Sequence, residues 1–443
     1  MYETLFPARP RGRSLRSLSV VAAAVLAGAL AACGGSSSGS HSTLVFADLA
    51  PFSGPDAALG PIYLVSCDGT TNAINKAGGI LGHKVKCTSA DTRGEPADAV
   101  PAVGSLLATT KNLALVIGCT SDEAASVVPV IDKNKTVMFC MTGQSEFDHL
   151  KFPYFYRLVP PDLAESYAMT VIAQNLGFQK IALAFGNDIG SQTFVQPAIA
   201  AIAKAGLKVV ANETLDLHAT TFRTEAAKIV AAHPDAIMTE ALGNADPTLF
   251  AEIKQLNGGK MIPIIGTSAA ISPVFYTACA KAVGAADFAA NFHADNLVTA
   301  TSGPAYTAFT HALLTVKGKV AGAQTGDFTT YFTAPGAVHL YDGMNLAALS
   351  MVAAGSTDVA KWKPWIAKIG DGVPGAVVVH SFAQGVAALK AGKKIRYVGP
   401  GGPTSFDAYH DSPGIFQIDA YSASGAVVVS GSITATELRA VSP

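Results

Sequence analysis

Residues 113–117, LALVI, constrain this chain more than any other stretch. Five apolar residues stand in a row and stop at Gly118. Side chains alternate along a strand, so such a run is apolar on both faces. Only a sheet covered on both sides accommodates it, and such sheets are parallel with helical crossovers. Ser121 or Asp122 can cap a helix that begins near Glu123. Residues 136–140 then repeat the buried-strand pattern and run into Met141, Thr142, Gly143, Gln144 and Ser145. In an open parallel sheet, ligands sit beyond the carboxyl ends of the strands. Two such ends fall side by side here, with hydroxyls and helix N–H groups, and are read as half of a ligand site.

The alternation extends in both directions. Strands are expected at 43–49 and 83–89, with helices at 61–76, closed by Gly78-Gly79, and at 96–109, opened by Pro96. After Tyr154-Phe155-Tyr156-Arg157 the series restarts. Helices are expected at 163–176, 192–205, 221–232 and 247–256, and strands at 180–185, 208–215, 235–239 and 262–266. This predicts an α/β protein with two Rossmann-like units of similar order, without an internal sequence repeat. The last third is less regular. It carries helical patterns at 304–316, 341–354, 360–369 and 384–391, an apolar run at 376–379, a Gly/Pro-rich stretch at 397–406, and a strand pair at 415–421 and 426–430.

A chain of 443 residues calls for two or three domains. Charged residues make up 14% of it, against about 25% in an average globular chain, and the net charge is -1. No basic block follows the N-terminus, which argues against nucleic acid as a partner. The N-terminus itself reads as a secretion signal: Arg9, Arg11, Arg13 and Arg16 precede an apolar run at 18–32. That run ends in Leu30-Ala31-Ala32-Cys33, which resembles a bacterial lipobox. Residues 1–32 are therefore expected to be a lipoprotein signal peptide. Cys33 would be the lipidated residue and 33–42 a Gly/Ser-rich tether. The mature protein is expected on the extracytoplasmic face of a bacterial membrane, held there by lipid alone. In that oxidising setting a disulfide is expected, between Cys67 on the first helix and Cys87 at the end of the second strand. Cys119 and Cys140 end neighbouring strands and could also approach, while Cys279 is left over.

Strong catalytic signatures are missing. There is no P-loop, no GxSxG elbow and no Rossmann glycine fingerprint in a strand-to-helix setting. The histidines, among them His149, His218, His293 and His311, show no zinc-ligand spacing. No enzyme activity, metal or cofactor is expected. Asp122-Glu123 reads as the acidic first turn of a helix rather than as an acid/base pair.

Several motifs, in order, resemble the solute-binding proteins of branched-chain amino-acid ABC transporters, the Leu/Ile/Val-binding family. Residues 73–82, AINKAGGILG, are similar to that family's INxxGGIxG turn. Asp91-Thr92, Pro96 and Ala99 follow at familiar spacing. Val116-Ile117-Gly118 with Thr120 and Ser121 resembles its first ligand loop, and Tyr156-Arg157-Leu158 with Pro160-Pro161-Asp162 its FRxxPxD crossover. Gly186-Asn187-Asp188-Ile189-Gly190 stands where the family has an acid followed by YG. Tyr341-Asp342-Gly343 is similar to its YDA helix start, and Phe406-Asp407 to its late FD element.

The resemblance implies a type I periplasmic binding protein: two lobes joined by a three-strand hinge, closing on a small molecule and presenting it to an ABC permease. Lobe 1 would comprise 43–157 and about 290–383, and lobe 2 with the hinge returns 158–289 and about 384–443. The protein would act as a monomer. An amino-acid carboxylate would be held by Thr120, Ser121, Thr142 and Gly143, as helix N-termini favour anions. Phe52 and Ser53 would rim the cleft, and an acid of lobe 2 would meet the ammonium, from Asp188 beside Asn187, Glu240 or Asp246. Ile189 replaces the family's usual Tyr. Asp122 is open between two roles, helix cap or ligand contact, and facing the cleft it would favour a cation, an amide or a neutral solute. A ligand sensor feeding a membrane signalling protein, and a secreted hydrolase, are the alternative functions.

Overall fold

The computed structural model describes residues 42–443 apart from Leu150, Thr325 and Pro413. The expected signal segment and Cys33 lie outside the described residues. Five strands form the first sheet: β1 (Leu44–Ala50), β2 (Val85–Asp91), β3 (Leu113–Gly118), β4 (Met138–Cys140) and β5 (Phe155–Arg157). Their order is β2-β1-β3-β4-β5 and every pairing is parallel. A second group, β6 (Lys180–Gly186), β7 (Lys208–Leu215), β8 (Ala236–Glu240), β9 (Ile264–Gly266) and β10 (Phe292–Leu297), is parallel in the equivalent order. Two late strands extend it: β14 (Phe416–Tyr421) pairs antiparallel with β10, and β15 (Val427–Ile433) with β14. Between these in sequence lie β11 (Val377–Val379), β12 (Ile395–Gly399) and β13 (Gly402–Pro403), a small third sheet.

Each large sheet is sandwiched, which is what apolar runs such as LALVI require. Leu115 and Ile117 face a core built on the helix Pro335–Ala354, while Val116 faces the helices Pro96–Thr109 and Ser121–Lys133. The second sheet is likewise covered on both faces. The helix Pro335–Ala354 is buried all round from 340 to 351. A helix apolar on every side belongs inside a core, and each Leu or Met it buries contributes about 1.5–3 kcal/mol. Two of its polar residues are satisfied internally: Asp342 accepts from Tyr397 Oη (2.8 Å) and from Gly401 N–H (2.9 Å), and Asn345 Oδ1 accepts from Phe382 N–H (3.2 Å). Cys67 and Cys87 are disulfide-bonded, joining the helix Gly60–Lys76 to β2.

Differences from the sequence reading have local causes. The helix expected at 341–354 begins at Pro335, placed where its missing N–H costs nothing, so Tyr341-Asp342-Gly343 lies mid-helix. The single helix expected at 360–369 is two, Val359–Trp362 and Trp365–Gly370, parted at Pro364. β10 carries His293, Asp295 and Asn296 and shows no strand pattern, yet it is an interior strand. Asn296 Nδ2 there donates to Thr333 O and Asp419 Oδ2. β10 belongs to the second sheet, so the return to the first core comes after it rather than at about 290. Residues beyond 384 also remain with the first core longer than expected, since Ile395 and Tyr397 are part of it.

The chain thus passes between the two halves three times: after β5, after β10, and between β13 and β14. These passages are tied together. Val298 N–H donates to Ile415 O (2.8 Å), and Arg157 N–H to His410 O (2.9 Å). The buried Arg157 guanidinium donates to Asp411 through Nε (2.6 Å) and Nη2 (2.8 Å), to Asp148 (2.7 Å) and to Gln144 O (2.9 Å).

Candidate ligand-binding site

The carboxyl ends of β1, β3 and β4 face those of β6, β8 and β9, and a cavity of about 110 Å³ lies between them. The first half supplies Thr120, Ser121, Asp122, Met141 and Gly143, and the second Asp188, Gly190, Ser191, Glu240 and Ser268. Apolar walls come from Leu59, Ile62, Tyr63, Val159, Phe194 and Leu242. Asp56, Asp122, Asp162, Glu165, Asp188 and Glu240 put six carboxyl groups around it, and no Lys, Arg or His lines it among the described residues.

The two halves touch across the cavity. Asp122 Oδ1 accepts from Gly190 N–H (2.8 Å), the first turn of the helix Ile189–Lys204, whose cap is Asp188 Oδ1 accepting from Ser191 N–H (2.7 Å). Of the two roles open from sequence alone, Asp122 does not take that of helix cap. It lines the cavity and bridges to the opposite half, while Thr120 caps the helix through a reciprocal pair with Glu123. Burial, then the charges of Asp188 and Asp56, push the Asp122 carboxyl up to about 10, against the pull of Gly190 N–H. At neutral pH it carries a proton and does not repel an anionic ligand group.

The other acids are tuned the same way. Burial first, then Asp188, raises Asp56 to about 7. Burial raises Asp162 to about 8 although Thr193 Oγ1 donates to it (2.5 Å), and Glu165 to about 7 although Ser268 Oγ donates to it (3.1 Å). Glu240 is pushed well up by burial despite a hydrogen bond from Thr267 Oγ1. Behind the wall, Asp295 is fully buried with neither oxygen hydrogen-bonded. Uncharged carboxyls can donate as well as accept, so the lining offers both kinds of hydrogen bond and, on ionisation, a counter-charge for a cation.

Of the residues singled out from sequence, Thr120, Ser121, Gly143, Asp188 and Glu240 line the cavity. Thr142 lies just behind, its Oγ1 3.1 Å from Ser121 Oγ. Thr120's hydroxyl donates to Glu123 (2.5 Å) and its N–H to the same carboxylate (3.2 Å), which leaves Ser121, the Gly143 backbone and the carboxyls of Asp56 and Asp122 as the first half's polar lining. Four placements differ. Phe52 N–H (2.9 Å) and Ser53 Oγ (2.6 Å) bond Asp91 instead of rimming the cavity, and Asp56 takes that place. Asp246 turns inward, accepting from Thr239 Oγ1 (2.6 Å) and Ala241 N–H (3.1 Å), and so shapes the loop after Glu240. Asn187 lies in an adjoining cavity of about 200 Å³ shared by Asp56, Asp122 and Asp188. Asp162 and Glu165, absent from the sequence-based set, sit at i and i+3 of one helix and so share a face. That spacing was the available signal.

Among the described residues the grouping with ligand spacing is Asp48, Cys67 and Cys87, and its sulfurs are consumed by the disulfide. No described helix is long and apolar enough to cross a membrane.

Comparison with known proteins agrees with this geometry. Residues 45–410 match the family model described as periplasmic binding protein. Leu/Ile/Val-binding protein homolog 3 of Brucella melitensis is 33% identical over 116 residues, 26% of this chain and 31% of the relative. Leu/Ile/Val-binding protein BraC3 of Rhizobium johnstonii is 34% identical over 104 residues, 23% of this chain and 28% of the relative. The aligned part thus spans about a third of each of these relatives. Among solved structures, the leucine-binding protein LivK of Thermotoga maritima superposes with a TM-score of 0.68 at 18% identity, covering 89% of this chain and 100% of that one. LivJ of Streptococcus pneumoniae, in complex with isoleucine, gives 0.67 at 19% identity, covering 88% and 99%. An R. palustris solute-binding protein in complex with benzoate gives 0.66 at 16% identity, covering 88% and 96%. The family model spans most of the chain, and the chain belongs to the periplasmic binding protein family.

Proposed function

We propose that this protein is an extracytoplasmic, lipid-anchored receptor that captures a small amino-acid-like solute between its two halves and delivers it to an ABC permease. The observation that carries the reading is the asymmetry of the cavity. Ser121, the Gly143 backbone and the carboxyls of Asp56 and Asp122, raised to about 7 and about 10, stand on one side, and Asp188, Glu240 and Glu165 on the other. A ligand with a carboxylate and an ammonium group matches both sides. The proton on Asp122 removes the repulsion that would otherwise exclude the carboxylate. The lipobox at Cys33 and the Leu/Ile/Val-binding names of the partial relatives support the anchor and the solute class.

A thermal-shift screen tests it. The purified protein is heated with aliphatic amino acids, their amides, simple amines and aromatic acids. A true ligand at about 100 times its dissociation constant adds roughly 2.7 kcal/mol of stability. Amino acids should shift the transition, and Glu240→Gln should abolish the shift. A response to amines alone would exclude the carboxylate contact, and silence across the panel would reject the receptor reading.

A further inference from the structure

A larger cavity, of about 670 Å³, lies away from the facing strand ends, and its chemistry is the reverse of theirs. No Asp or Glu lines it among the described residues, whereas Arg396, His339 and His380 do. Arg396 makes no ion pair with any described residue; its Nε reaches only Gly370 O, at 3.5 Å. His339 Nε2 is buried without a hydrogen-bond partner. His380 Nδ1 is held by Val398 O at 2.8 Å, which leaves Nε2 for another partner. Asp342, beside the glycine loop, is occupied by Tyr397 and Gly401.

Apolar surface completes the wall. Val298 and Ile415 are among the most exposed large apolar residues of the protein, 40% and 65%, and both line this cavity. All three passages contribute: Leu158, then Leu297 and Val298, then Ser412 and Ile415. Gly401 fits because a Cβ there would lie 2.7 Å from the His339 ring. The volume falls in the range of small-molecule sites, which pair apolar walls with a few convergent polar groups.

The geometry points to a second ligand site at the hinge, taking a small organic monoanion: a carboxylate paired with Arg396 and His380, its apolar body against Val298 and Ile415. A guanidinium binds a carboxylate through two parallel hydrogen bonds, which suits one Arg to one carboxylate. Because the wall is built from the passages between the halves, an occupant bears on the segments that must flex as the halves close. This site stands whatever the cleft binds.

Calorimetric titration with hexanoate and with benzoate tests it, with hexanamide as the neutral control. Both acids should bind, hexanamide about 10-fold or more weaker. Arg396→Gln should weaken the acids by at least about 10-fold, Arg396→Lys by less, since a point charge lacks the second bond. Ile415→Trp, at an exposed position, should block the mouth without unfolding, and decides the matter alone should Arg396→Gln fail to fold. Hydrogen exchange with bound hexanoate should slow at 297–302, 412 and 414–416, and not at 119–123 or 188–192. No heat at tens of millimolar acid, affinity unchanged in both Arg396→Gln and Ile415→Trp, or protection at 119–123 and 188–192 instead would each overturn the proposal.

Discussion

Asp122 shows how one side chain changes meaning with its surroundings. Its value lies in accepting the buried Gly190 N–H across the cavity, not in its charge, since it is protonated at neutral pH. Asp122→Asn keeps an acceptor at Oδ1, so ligand affinity should change little. Asp122→Ala leaves Gly190 N–H buried and unpaired, which costs about 1–3 kcal/mol. Affinity should then fall roughly 5- to 150-fold in a calorimetric titration. Equal losses in both variants would mean the charge matters after all. Gly143 makes a second residue-scale case. A Cβ there would lie 1.9 Å from Asp162 Oδ1 and 2.8 Å from Pro160 O. Gly143→Ala should therefore destabilise the protein by about 1–3 kcal/mol, as overpacking does. Urea unfolding reads the loss directly.

At the scale of elements, the passage after β5 is locked by charge. Arg157 is fully buried and paired with Asp148 and Asp411, so it fastens the end of β5 to the segment that leads into β14. Removing one member of a buried ion pair leaves the partners uncompensated and costs about 3–5 kcal/mol. Arg157→Met should show that loss in the urea midpoint, and Asp148→Asn with Asp411→Asn added to it should recover part of it. A loss below about 1 kcal/mol would place the pair with ordinary surface bridges. The helix Pro335–Ala354 is the other organising element, since the first core forms around it.

For the whole molecule, the buried carboxyls make the compact state pH-sensitive. Asp56 and Glu165 are raised to about 7 and Asp162 to about 8. An acid whose folded pKa lies above its unfolded value binds more protons when folded, so stability falls as pH rises between the two values. Melting temperature without ligand should therefore drop from about pH 5 to pH 8. An ammonium ligand that pairs with ionised Glu240 should release protons on binding, which calorimetry in buffers of different ionisation enthalpy detects. A melting temperature that climbs over this range would contradict the tuned-acid picture.

Much of this protein was determined by local sequence. Runs such as LALVI admit only a doubly covered parallel sheet, because period-two alternation puts apolar side chains on both faces. From that follow the strand series and the placement of Thr120, Ser121, Gly143 and Glu240 at strand ends. What sequence could not decide depended on groups that meet only after folding. β10 is polar in half its residues and is stabilised by Asp419, more than a hundred positions away. Phe52 and Ser53 face Asp91 rather than the cavity, and Asp246 turns to Thr239. The carboxyls of Asp56 and Asp122 acquire their properties from lost water and nearby charge, neither of which exists in the extended chain. Tertiary structure alone set the protonation of the site, because desolvation is a property of the assembled surroundings and not of any residue.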